Sequence, residues 1–130
     1  MDDRHVADLC DLYQGEWWSK GRTVEEVRIA LQNSDVVLRL CRSDTGALVA
    51  FARVLTDRVF KAVLFDVIVA PAYRARGTGR LLMERVMAHP IVSRVRDVDL
   101  YCLPELIPFY RRWGFTAEVS WVNLMRRVRT

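Results

Sequence analysis

The sequence predicts a single mixed α/β domain, residues 1–130, with helices on both faces of a central sheet. Three observations predict it. A chain of 130 residues supports one core and is too short for two. Hydrophobic residues make up 52% and charged residues 28%, which separates the chain from the disordered class. Its apolar spacing alternates between helical and strand periods in the order ααβββαβαβ, the pattern of a layered domain.

Val6, Leu9, Cys10 and Tyr13 recur at helical spacing, and Gly15 ends the pattern. Thr23-Val24-Glu25-Glu26 is a capping box opening a second helix, whose apolar stripe is Val27, Ala30 and Leu31. Between them lies a loop with two large aromatics, Trp17-Trp18-Ser19-Lys20-Gly21. Val36–Cys41, a turn at Ser43-Asp44-Thr45-Gly46, and Ala47–Leu55 read as a hairpin. Val59–Val69 reads as a third strand whose apolar run Val67-Ile68-Val69, just before Pro71, suits burial on both faces. Leu81, Leu82, Met83, Val86 and Met87 form a helix stopped near His89-Pro90. Val98–Cys102 is a strand, and Leu106–Trp113 a helix with Pro108 in its first turn. Trp121–Val128 is expected to close the sheet as a final strand.

Charge narrows the function classes. Lys+Arg number 20 against 16 Asp+Glu, a net of +4, and 18 of the 20 are arginines, whose planar fork suits phosphate and carboxylate. The positive field is local: residues 70–96 carry a net +5 and residues 1–20 a net −3. A nucleic-acid binder needs basic residues interleaved with exposed aromatics along a face, whereas these arginines gather around a glycine turn, so no nucleic-acid partner is expected. No apolar run approaches the roughly 18 residues of a membrane span, and Met1-Asp2-Asp3 begins no signal peptide. Cys10, Cys41 and Cys102 form neither a C-x-x-C pair nor an even framework. A cytoplasmic protein without metal or membrane partner is the expectation. His5 and His89 are the only histidines, and neither joins an acid–nucleophile pattern.

One stretch carries chemistry: a strand ending at Val69, a loop from Ala70, and a helix opened by Gly77-Thr78-Gly79-Arg80. A helix N-terminus presents unpaired N–H groups and partial positive charge. Glycines let an anion approach the backbone, and Arg74, Arg76 and Arg80 flank the spot. The arrangement suits a pyrophosphate. A dinucleotide fingerprint would need glycine at Leu82, and the phosphate loop G-x-x-x-x-G-K-[ST] is absent, which argues against NAD and ATP.

In these residues the chain resembles the GNAT superfamily of N-acetyltransferases. Arg74, Gly77 and Gly79 match its acetyl-CoA motif [QR]-x-x-G-x-[GA]. Phe109-Tyr110-Arg111-Arg112-Trp113-Gly114-Phe115 matches a second signature, one helix and one strand further on. The resemblance implies a GNAT-like α/β (α+β) fold: a central mixed, mostly antiparallel sheet whose fourth and fifth strands splay apart to admit an acyl chain. It implies acetyl-CoA as cosubstrate and direct attack on its thioester by a primary amine, either a small molecule or a protein amino group. Backbone groups of Val67, Ile68 and Val69 would align the pantetheine arm. Amides of Ala75, Arg76, Gly77, Thr78, Gly79 and Arg80 would hold the pyrophosphate beside Arg74. Tyr110 would protonate the leaving thiolate; it reads otherwise as a helix tyrosine packed on Trp113 and Phe115.

A protonated amine must lose a proton before it attacks. Asp66 is the first candidate base, since an acid buried in so apolar a strand should have a raised pKa; it reads equally as a carboxylate pairing with Arg53. Glu105 and Asp99 are further candidates. The loop between the first two helices commonly lines the family's acceptor site. Tyr13, Glu16, Trp17 and Trp18 would there make an aromatic wall with an acid, suited to a cationic amine, or the tryptophans would plug the core. Three departures stand out. Leu103 replaces an Asn common seven residues before the Tyr, and Phe65 stands where some members carry a Glu or His base. The chain also opens on a helix where members often begin with a strand, so an edge would be left for a second copy to cover in a homodimer. The rival reading is a non-catalytic acyl-CoA-binding module for sensing or assembly.

Overall fold

The computed structural model describes residues 1–119 and 121–129. Helices α1 (Asp3–Gln14) and α2 (Val24–Gln32) lead into strands β1 (Val36–Cys41), β2 (Leu48–Thr56) and β3 (Lys61–Val69). Helices α3 (Thr78–Ala88) and α4 (Pro90–Arg94), strand β4 (Asp97–Leu100) and helix α5 (Ile107–Arg111) follow. Capping explains the helix starts. Asp2 accepts from the His5 amide at 2.9 Å, and the Thr23–Glu26 box is closed in both directions.

The sheet has the order β1-β2-β3-β4, antiparallel except for the parallel pair β3/β4. This is the mixed, mostly antiparallel sheet that was expected. Helices cover both faces. Val6, Leu9 and Tyr13 of α1 and Val27 of α2 pack with Leu48, Phe51 and Ile68 on one side. Leu82, Met83 and Val86 of α3 and Tyr110 of α5 pack with Ala50, Ala52, Val54 and Leu64 on the other. The strand covered on both faces is thus β2, while Val67 and Val69 are only half-buried.

Two irregularities in β3 shape the molecule. Its pairing with β4 runs from Lys61↔Asp97 to Leu64↔Leu100 and stops, although β3 continues to Val69. β4 ends at Leu100, so β3 runs on unpaired on that side; the splay was expected between a fourth and a fifth strand, and the sheet has four strands among the described residues. The second irregularity is a bulge: the β2/β3 register shifts by one between Phe51↔Ile68 and Arg53↔Phe65. Asp66 sits there at φ 56, in the left-handed region that a short polar side chain tolerates.

Two expectations are corrected, and one helix is added. Residues 121–128 form no strand and lie exposed, with Trp121 91% accessible. Trp121-Val122 and Leu124-Met125 come in apolar pairs, so no register puts one apolar face on the sheet. The helix ending near His89 is followed by a second, α4, because Pro90 fits a first helical position. The helix expected over Leu106–Trp113 covers only Ile107–Arg111, preceded by a 3-10 turn at Pro104–Leu106. No helix among the described residues is long and apolar enough to cross a membrane.

Candidate active site

A cleft of about 600 Å³ lies at the carboxyl end of β3, where it runs on past β4. Val67, Ile68 and Val69 form one wall, Arg74, Ala75, Gly77, Gly79 and Arg80 a second, and Leu106, Phe109, Tyr110 and Arg112 a third. Glu16 and Trp18 reach it from the loop after α1. Sequence reading thus placed most of its cofactor residues on one cavity; Arg76 and Thr78 lie outside the lining.

Local conformation explains the second wall. Gly77 caps α3 at φ 80, and Leu81 N is the first amide to close the helix, on Gly77 O at 3.0 Å. No side chain caps this end, so the amides of Thr78, Gly79 and Arg80 have no intrahelical partner. A Cβ at Gly77 would meet nothing within 4 Å, so the space above the turn is open. Gly79 has a different reason: its Cβ would stand 3.3 Å from Phe109 Cζ, so glycine lets α5 close on α3. Phe109, which the motif reading left without a role, is the support for that turn.

The arginines around this turn already hold partners. Arg74 donates to Val69 O at 3.0 Å and to Glu16 Oε1 at 2.6 Å, joining two walls of the cleft. Arg80 pairs with Glu84 at 3.0 Å, and the Arg76 guanidinium lies 5.9 Å from the Tyr73 ring centre. Tyr110 is buried, and burial first, with the neighbouring Cys102 second, pushes its hydroxyl up to about 12. Its ring packs edge-on against Phe109 and Phe115.

The acceptor residues divide. Trp18 and Glu16 reach the cleft, but Glu16 is already paired with Arg74. Trp17 is 73% exposed and outside the lining. Tyr13 is buried beneath, its hydroxyl donating to Asp66 Oδ2 at 2.9 Å. The wall of four residues with a free acid is therefore reduced to Trp18 and a neutralised Glu16.

Of the two readings of Asp66, the pairing with Arg53 is the one present. Its Oδ2 accepts from Tyr13 Oη, from Arg22 at 2.8 Å and from Arg53 Nε at 2.7 Å. Burial pushes its carboxyl up, but the hydrogen bonds and charges of Arg22 and Arg53 outweigh burial and leave it below the ordinary value. The expected rise is reversed, and a carboxylate so held is a weak base. Arg22 was missed: it comes 44 residues before Asp66, and nothing in Gly21-Arg22-Thr23 marks it. Asp99, another candidate, pairs with Lys61 at 2.7 Å.

A family model described as acetyltransferase (GNAT) domain matches residues 33–117. The chain is 40% identical over 99 residues to serotonin N-acetyltransferase 2, chloroplastic, of Oryza sativa subsp. japonica, covering 75% of this chain and 50% of that one. It is 33% identical over 108 residues to GCN5-related N-acetyltransferase 1, chloroplastic, of Arabidopsis thaliana, covering 83% and 55%. The chain thus spans about half the length of these two curated relatives. A crystal structure of a protein assigned to the GNAT family, from Xanthomonas campestris pv. campestris, superposes with TM-score 0.82 at 33% identity, covering 95% of this chain and 84% of that one.

Proposed function

Because the chain belongs to the GNAT family of acetyltransferases, we propose that it transfers an acetyl group from acetyl-CoA to a primary amine. One observation carries the reading: the cleft opened where β3 outruns β4 is continuous with the uncapped amides of α3. The residues fit such a cosubstrate. Beyond Leu64 the backbone of β3 has no β4 partner and could align an extended pantetheine arm up to Val69, whose carbonyl is taken by Arg74, and the Gly77 turn leaves room for a pyrophosphate on the amides of residues 75–80.

In this reading the amine nitrogen attacks the acetyl carbonyl, the C–N bond forms, and the C–S bond breaks. The departing sulfur takes its proton from Tyr110, which stays protonated at neutral pH because its pKa stands near 12. A protonated amine first gives one proton to solvent; the proton that nitrogen loses after attack returns Tyr110 to its neutral form by way of solvent. Asp66 is assigned to positioning, since its acceptor oxygen is saturated and its pKa lowered.

Binding without turnover is the rival reading, favoured by that same engagement of Asp66. Two measurements separate the readings. Millimolar acetyl-CoA should raise Tm by about 5 °C or more, and the double variant Arg74→Ala, Gly79→Glu should lose the shift. No shift in the unaltered protein would sink both readings. Release of free CoA thiol against an amine panel then distinguishes transfer from binding alone.

A further inference from the structure

The loop over residues 70–77 supplies Arg74, Ala75 and Gly77 to the cleft lining, and its backbone is one that its sequence does not favour. Ala75 stands at φ 60 and Gly77 at φ 80, both left-handed, with Arg76 between them outside that region. Glycine enters this region freely. Alanine enters it rarely, and a residue so placed persists where its surroundings over-determine the chain. A turn that alternates in this way points successive N–H groups into one concavity, the shape that takes an anion. The amides of Ala75, Arg76 and Gly77 donate to no protein group among the described residues.

What holds Ala75 in place is therefore a functional question. The Ala70 amide donates to Val49 O at 2.8 Å, which ties the start of the loop to β2. Arg74 bonds Val69 and Glu16, as described above. A further anchor lies outside both the glycine motif and the cleft lining: Arg42 Nη1 donates to Tyr73 Oη at 2.8 Å. Arg42 is itself fixed, with Nε and Nη2 donating to Asp44 Oδ1 and Oδ2 at 2.8 and 2.6 Å in two-point contact. Asp44 also accepts from the Thr45 amide at 2.8 Å, so the pair is built into the β1–β2 turn. The ring of Tyr73, half-buried, carries the Arg76 guanidinium on its face. Tyr73 thus holds the chain on both sides of Ala75, by its own backbone before it and through Arg76 after it. The side chains of Arg42 and Asp44 are 47% and 59% exposed, and such a pair adds little to overall stability. What it secures is the position of Tyr73.

We propose that Tyr73, braced by Arg42 and Asp44, is a positioning residue for the acyl donor: it keeps the Ala75 turn in the left-handed form that receives the pyrophosphate. This deepens the acetyl-CoA reading and rests on it.

The test is calorimetric titration of the intact protein with acetyl-CoA. Tyr73→Phe keeps the ring and removes the bond, and should weaken Kd by about 3- to 10-fold with Tm held within about 2 °C. Arg42→Met should give the same loss, and the double variant no more than either, since both act through one bond. KM for acetyl-CoA should rise by that factor while kcat stays within about twofold. Adding Ala75→Gly to Tyr73→Phe removes the cost of the left-handed turn, and should return Kd to within about twofold of the unaltered protein. A merely structural role would move Tm and would not be rescued by this glycine. Unchanged affinity in Tyr73→Phe, or a loss that Ala75→Gly does not recover, overturns the proposal while the acetyl-CoA reading stands. An unaltered protein that binds no acetyl-CoA overturns that reading, and the proposal with it.

Discussion

Three donors converge on one oxygen of Asp66, and this fixes both what the carboxylate can do and what its loss costs. Replacing it by alanine leaves two guanidiniums facing each other in a half-closed space, so Asp66→Ala should destabilise the fold by about 3 kcal/mol in urea titration. The carboxyl titrates below its unfolded value of about 3.9, so its stabilisation is complete above that pH and fades as pH falls through the lower folded value. The variant should accordingly show a flatter acid limb. Tyr110 has the opposite sign: its contribution is full below about pH 10 and is lost as pH rises through about 12. If it is the general acid, Tyr110→Phe should lower kcat about a hundredfold while sparing the Kd for acetyl-CoA. Unchanged turnover would remove Tyr110 from the chemistry. Arg74 and Gly77 were marked by the strand, loop and glycine-opened helix, Tyr110 by the resemblance to the family, and the Asp66–Arg53 pair by one of two readings; the part of Arg22 arises only when a helix loop meets two strands.

At the scale of elements, α3 and α5 are coupled through one missing methyl. Gly79→Val would push against Phe109 and against Val69, whose Cγ2 lies 3.7 Å from where the new Cβ would stand, and so force α5 away. The expected cost is about 1–3 kcal/mol of stability, with loss of the acetyl-CoA thermal shift in the same samples. Stability loss with an intact shift would show that the turn is held by other contacts. The hairpin, the capping box and α3 were legible because each has its own local signal. The apolar run Val67-Ile68-Val69 misled: it borders a cleft, and hydrophobicity alone does not tell a buried wall from a cavity wall. The segment 121–128 misled as well, since β-prone residues without alternation do not specify a face.

For the whole molecule, the net charge of +4 conceals a pairing pattern. Arg74, Arg80, Arg53 and Arg22 all carry acidic partners, so the field at the cleft comes from the balance of these pairs and from helix amides as much as from arginine number. A polyphosphate ligand should still sense it. Raising NaCl from 50 to 500 mM should weaken acetyl-CoA binding by about three- to tenfold, and a salt-independent Kd would locate the affinity in the apolar walls.

The stretch of β3 that runs on past β4 has a further consequence. In the reading given above, the last strand-like partner of β3 is not polypeptide at all but the cosubstrate. A ligand present at a hundredfold its Kd adds about 2.7 kcal/mol to the folded state. Proteolysis of a transiently opened chain follows that free energy. The abundance of the protein in a cell would then follow the supply of its acyl donor, so that a metabolic shortage would shorten the lifetime of the catalyst as well as slow it.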